Sequence, residues 1–79
     1  MWCVITVVER KQDTLPWLIC TAPTMEEANL AYENEILEMT RAGAEIEREL
    51  DYRAMHKSAD AYFKRLNGSK VSVHMYEYD

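Results

Sequence analysis

The chain has 79 residues, 48% of them hydrophobic, with two glycines, two prolines, two cysteines and a formal net charge of −5. That length makes a single domain, residues 1–79, with a core of limited size, and the apolar content excludes a compositionally disordered polymer. No run approaches the roughly 18 apolar residues needed to cross a bilayer. The start, Met1-Trp2-Cys3-Val4, shows no basic secretion leader, so the expected location is the cytoplasm.

Trp2 to Val8 reads as a strand that is apolar on both faces, with Cys3, Ile5 and Val7 on one and Trp2, Val4 and Val8 on the other. A strand of this kind belongs in the middle of a sheet. Glu9 to Thr14 is polar and carries a turn near Lys11-Gln12. Leu15 to Thr21 follows as a second strand, and Pro16 suits it to an edge. Trp17 and Ile19 share one of its faces, Leu18 and Cys20 the other. Cys3 and Cys20 are too few for a disulfide framework and lack metal-ligand spacing, so they read as reduced thiols that the hairpin could set opposite each other.

Thr24 with Glu27 forms a capping box that opens a helix. Met25, Ala28, Tyr32, Ile36, Met39, Gly43, Ile46 and Leu50 then recur at spacings of three and four, the apolar stripe of a helix, while Leu30 and Leu37 widen it or make a second contact. Asn67-Gly68 provides a stop. A single helix from 25 to 67 would be about 64 Å long at 1.5 Å per residue, too long for a small sheet. A break is expected at Arg41-Ala42-Gly43 or around Asp51 to Ser58.

Lys70 to Tyr76 is the third expected strand, with Val71, Val73 and Met75 on one face and Ser72, His74 and Tyr76 on the other. The expected fold class is α+β, arranged ββ-α(α)-β: a three-stranded, mostly antiparallel sheet in the order 2-1-3, with one broken helix or two antiparallel helices on one face. The opposite face would then leave Trp2, Val4, Trp17 and Ile19 for a homodimer or docking contact.

The charges are segregated. Residues 24–51 hold Glu26, Glu27, Glu33, Glu35, Glu38, Glu45, Glu47, Glu49 and Asp51 against Arg41 and Arg48 only, whereas residues 52–70 hold Arg53, Lys57, Lys64, Arg65 and Lys70 against Asp60. A helix pair matched in charge explains this pattern. So does a negative surface offered to a basic partner, which steers association and rejects wrong partners. On the second reading Glu33, Glu35, Glu38, Glu45, Glu47 and Glu49 form the partner-binding face, turned away from the apolar stripe. Direct nucleic-acid binding by a basic second helix is opposed by the sequence pI of about 4.9.

The sequence shows no catalytic constellation. Two glycines build neither a phosphate loop nor a nucleophile elbow, and His56 and His74 fall on different elements without metal-ligand neighbours. No cofactor-binding or metal-ligating set is present, and an enzyme is not expected.

The hairpin leading into Thr24-Met25-Glu26-Glu27-Ala28 and the acidic stretch from Glu26 to Asp51 resemble small, acidic, phage-encoded anti-defence proteins of the anti-CRISPR type. That resemblance implies a non-catalytic inhibitor, working in the host cytoplasm, whose acidic face acts as a nucleic-acid mimic on a nuclease or defence complex. A hairpin followed by a capped helix is also similar to antitoxin subunits, which would imply a homodimeric regulatory protein.

Overall fold

The computed structural model describes residues 1–10 and 14–78, with side chains for all of these except 17–19. Its elements in order are β1 (Trp2–Glu9), β2 (Thr14–Ala22), α1 (Met25–Arg41), β3 (Glu45–Asp51), a 3-10 turn (Arg53–Met55), β4 (Ala59–Lys64) and β5 (Lys70–Glu77). The strands form one five-stranded sheet in the order β2-β1-β5-β4-β3, and every neighbouring pair is antiparallel.

This corrects the expected three-stranded sheet with two helices. Strands at 2–9, 14–22 and 70–77 do lie side by side with the first between the others, but two more strands extend the sheet and the described residues hold a single α-helix. The helix stops after 17 residues because Gly43, at φ +90°, takes a left-handed conformation that ends the helical path. Ala42 N–H closes the last turn onto Glu38 O, and Ala44 N–H reaches back to Met39 O at 3.0 Å. At the other end the Thr24 hydroxyl accepts the Glu27 N–H at 3.3 Å. Glu26 and Glu27 in the first turn and Arg41 in the last complement the helix dipole.

The segment expected to be a second helix is a β-hairpin. Ala59, Ala61 and Phe63 alternate with Asp60, Tyr62 and Lys64, and the three that face inward are buried. Period-2 burial of this kind is the mark of a strand. β4, itself held by β5, pairs with Glu-Ile-Glu-Arg-Glu-Leu of β3 and overrides that segment's helical preference. Asn67-Gly68 turns the next hairpin instead of ending a helix. Gly68 has φ +87°, Arg65 N–H donates to Ser69 O at 2.9 Å, and Asn67 Oδ1 accepts from Ser69 N–H at 3.0 Å.

α1 lies across one face of the sheet and links its two edges, from β2 to β3. The core between helix and sheet contains Trp2, Val4, Ala28, Tyr32, Ala59, Ala61, Phe63, Val73 and Met75, with Met25, Ile36 and Met39 packed around it. Burying a side chain such as Phe63 or Met75 contributes about 1.5–3 kcal/mol each. Alanines at 28, 59 and 61 leave room for the Tyr32 ring beneath the helix. Thr6 is also fully buried there, and its hydroxyl donates to Glu35 Oε2 at 3.0 Å.

Trp2 and Val4, expected on the free face, are instead 6% and 1% exposed under the helix. The side chains of Trp17 and Ile19 lie outside the described residues, as does the turn at Lys11-Gln12. The uncovered face carries Cys3, Ile5 and Val7 from β1 and Ser72, His74 and Tyr76 from β5. Cys20 pairs with Val4 rather than Cys3, so the two free cysteines point to opposite faces of the hairpin.

Candidate interaction surfaces

The acidic residues do not share one helical face. Glu33, Glu35 and Glu38 are on α1, while Glu45, Glu47 and Glu49 are on β3. Several have partners within the chain: Glu35 holds Thr6, Glu33 holds Arg53, and Glu47 holds Lys70 at 2.6 Å. Glu49 lies 3.8 Å from Arg53. Among the described residues Glu38 makes only an exposed contact with Arg41 at 3.4 Å, of the kind that adds little to stability.

Arg53 is the centre of these ion pairs. Its Nε and Nη2 grip Asp51 at 2.9 and 2.7 Å, its Nη1 reaches Asn29 Oδ1 at 2.6 Å and also Glu33, and its guanidinium lies over Tyr32. The fork hydrogen bonds of Arg53, joined by its own backbone N–H, pull the Asp51 carboxyl down to about 2. Asp51 in turn is the largest influence holding the Arg53 charge in place. Arg53 therefore ties the β3–β4 turn to the helix, and the basic second helix proposed for nucleic-acid contact does not exist: Lys57 follows the 3-10 turn, Lys64 ends β4 and Arg65 begins the hairpin turn.

The outward side of α1 carries what the inward stripe does not. Leu30 and Leu37 are 68% and 46% exposed, and a spacing of seven puts them on one side of the helix, opposite Ala28 and Tyr32. Glu26, Glu27, Glu33 and Glu38 surround them, all exposed. The result is an apolar ridge flanked by carboxylates, of which Glu26 and Glu27 have no ion pair among the described residues, while Glu33 is held by Arg53 and Glu38 by the exposed Arg41.

The uncovered sheet face holds a polar cluster that the sequence reading missed. Asp60 on β4 and His74 on β5 are register partners, and Ser72 sits two residues before His74 on the same face. His74 Nδ1 is 2.6 Å from Asp60 Oδ1, and His74 Nε2 is 2.8 Å from Ser72 Oγ. The Tyr62 ring meets the imidazole edge-on at 5.6 Å, and the Arg48 guanidinium stacks on the other side of Tyr62, 4.5 Å from its centroid. The i,i+2 spacing of Ser72 and His74 was visible in the sequence. Asp60 joins them only through the pairing of β4 with β5.

Both edges of the sheet discourage further pairing. β2 carries Pro16 and a register shift opposite Thr6 and Val7. β3 is exposed along its length, is rich in carboxylates and has a register shift between Ile46 and Arg48. Among the described residues no cluster of His, Cys, Asp and Glu is grouped to hold a metal ion, and no helix is long and apolar enough to cross a membrane.

The chain matches no protein-family model, no curated protein and no solved structure.

Proposed function

We propose that the chain is a protein-binding inhibitor, of the kind that phage anti-defence proteins exemplify, and that it acts by occupying a basic, nucleic-acid-handling surface of its partner in the cytoplasm. The observation that carries this reading is the outward side of α1, where Leu30 and Leu37 are exposed within a border of Glu26, Glu27, Glu33 and Glu38. Such a ridge fits an apolar trough rimmed by lysine and arginine, with the leucines supplying contact area and the carboxylates selectivity. The net charge of −5 supports approach to a basic surface. Glu45 and Glu47 of β3 do not extend this surface, because Glu45 pairs with Lys64 and Glu47 is held by Lys70 on the opposite face of the sheet.

The structure also decides which carboxylates can be altered in a test. Glu33 and Glu35 hold the fold through Arg53 and Thr6, so reversing them would confound binding with stability. The informative variants are Glu26→Lys with Glu27→Lys and Glu38→Lys, and separately Leu30→Ser with Leu37→Ser. Partners retained from a bacterial lysate at low salt should be released at high salt, and each variant set should weaken retention about tenfold or more. Undiminished retention by both sets would remove α1 from the interface.

A homodimer through the uncovered sheet face is the second reading. It is favoured by the absence, among the described residues, of a second layer over Ile5, Val7 and Tyr76, and it no longer involves Trp2 or Val4. Sedimentation across a concentration range separates the two, since only the dimer predicts a mass that rises with concentration.

A further inference from the structure

We propose that Ser72 is an activated nucleophile, with His74 as its general base and Asp60 as the group that holds the imidazole, and that it accepts acyl groups from small activated esters. The proposal is independent of the docking surface on α1, which lies on the other side of the sheet. Its basis is the sequence of contacts: carboxylate to Nδ1 at 2.6 Å, then Nε2 to a serine hydroxyl at 2.8 Å. In the neutral imidazole the carboxylate accepts the Nδ1 proton. The Nε2 lone pair is thereby left to accept the hydroxyl proton of Ser72. Those are the two bonds a serine nucleophile requires, in the required order.

Placement adds to the geometry. Ser72, His74 and Asp60 sit near the middle of three-strand pairing on the uncovered face, where strand backbones fix their positions. The imidazole and the Asp60 carboxyl are 23% and 27% exposed, so they are shielded yet open to a small molecule. A shallow depression of about 390 Å³ adjoins Ser72, with Val7, Tyr62 and Lys70 in its lining. Lys70 is held there by Glu47 at 2.6 Å, with Glu9 also in the lining, and the backbone N–H groups of the ladder are already committed to neighbouring strands. Without backbone donors for an oxyanion, the site suits esters with good leaving groups, such as aryl esters, and not amides.

In the first step Ser72 Oγ bonds to the carbonyl carbon as its proton passes to His74 Nε2. The bond to the aryl oxygen breaks, and His74 returns the proton to that oxygen, releasing a phenol. In the second step water gives a proton to Nε2 and bonds to the acyl carbon. The bond to Ser72 Oγ then breaks, Oγ regains the proton, and a carboxylic acid leaves.

The test uses the native chain with 4-nitrophenyl acetate, following nitrophenolate release and mapping the acetyl group by peptide mass spectrometry. Acetylation of Ser72 should exceed that of Ser69 in the same molecules by about 100-fold, the scale of a positioned base. This comparison needs no variant. His74→Gln should remove the excess, and Asp60→Asn should reduce it, provided both remain folded by circular dichroism. Acetyl found only on lysines or the N-terminus, or Ser72 labelled no faster than Ser69, would overturn the proposal and leave the cluster as a cross-strand hydrogen-bond strip.

Discussion

The guanidinium of Arg53 lies over the ring of Tyr32, 4.9 Å from its centroid, while the same group holds Asp51 through two side-chain hydrogen bonds. A single side chain thus clamps the helix to the last residue of the edge strand β3. Removing it leaves Asp51 and Glu33 facing each other without a cation and uncovers the aromatic ring. Arg53→Met should cost about 2–3 kcal/mol in urea denaturation. Arg53→Lys should recover only a minor part of that, because an ammonium cannot make the forked contact.

Tyr32 itself gives a prediction with the opposite sign. Its ring is fully buried, yet its hydroxyl has no hydrogen-bond partner among the described residues. Burial, and after it the charge of Glu49, raises its pKa well above the ordinary tyrosine value. A buried hydroxyl without a partner costs about 1–3 kcal/mol. Tyr32→Phe should therefore stabilise the protein by about 1 kcal/mol, read as a higher melting temperature or urea midpoint. A drop in either would mean that the hydroxyl has a partner after all.

Acid should loosen the same corner. The Asp51 carboxyl is held at about 2 against an ordinary 3.8, first by the Arg53 side chain and then by its backbone N–H. A depressed carboxyl contributes stability that is complete above its unfolded-state pKa and disappears as pH falls through its folded-state value. The contribution should fade between about pH 4 and pH 2. Asp51→Asn should flatten that part of the stability profile relative to the native chain. The carboxyl is 40% exposed, so solvent screening keeps the gain smaller than the shift alone implies.

The two glycines separate strain from collision. Both have positive φ, but a Cβ on Gly43 would come within 2.8 Å of Leu66 Cδ1, whereas one on Gly68 would meet nothing within 4 Å. Each alanine substitution should cost about 1 kcal/mol for the left-handed backbone. Gly43→Ala should cost only slightly more than Gly68→Ala, because Leu66 is 84% exposed and its tip can swing aside. Adding Leu66→Ala should then change the Gly43→Ala cost little, and a large rescue would show that Leu66 is held in place.

Edge protection by charge is also testable. Glu45 and Glu47 lie on the exposed edge strand, and replacing both with threonine raises β-propensity, removes the carboxylate repulsion and frees Lys70 from Glu47. The variant should associate at concentrations where the native chain stays monodisperse by light scattering.

Much of this architecture was legible in the sequence, but unevenly. β1, β2 and β5 announce themselves through β-branched and aromatic runs, and Thr24 marks the helix start through its cap. β3 and β4 did not. Glu45 to Asp51 is made of good helix formers, with Ile46 and Leu50 four apart, and that spacing continues the helical stripe across the glycine that ends it. In β4 the alternation of Ala59, Ala61 and Phe63 was present but short, and Ala61-Tyr62-Phe63 also satisfies a helical reading. The deciding contribution is pairing with β5, which depends on a strand that comes later in the chain. For the same reason the sequence displayed Ser72 beside His74 and gave no sign of Asp60.

β1 and β5 occupy the centre of the sheet, yet their outer ends meet, with Trp2 opposite Glu77 and Tyr78 N–H donating to Met1 O at 2.8 Å. A pulling force applied at residues 1 and 78 would load this ladder one hydrogen bond at a time, as a zipper, instead of shearing all of its bonds together. Force applied to both strands at this end should therefore open the pair well below the force needed to shear the same ladder along its length, dividing the sheet into β2-β1 and β5-β4-β3.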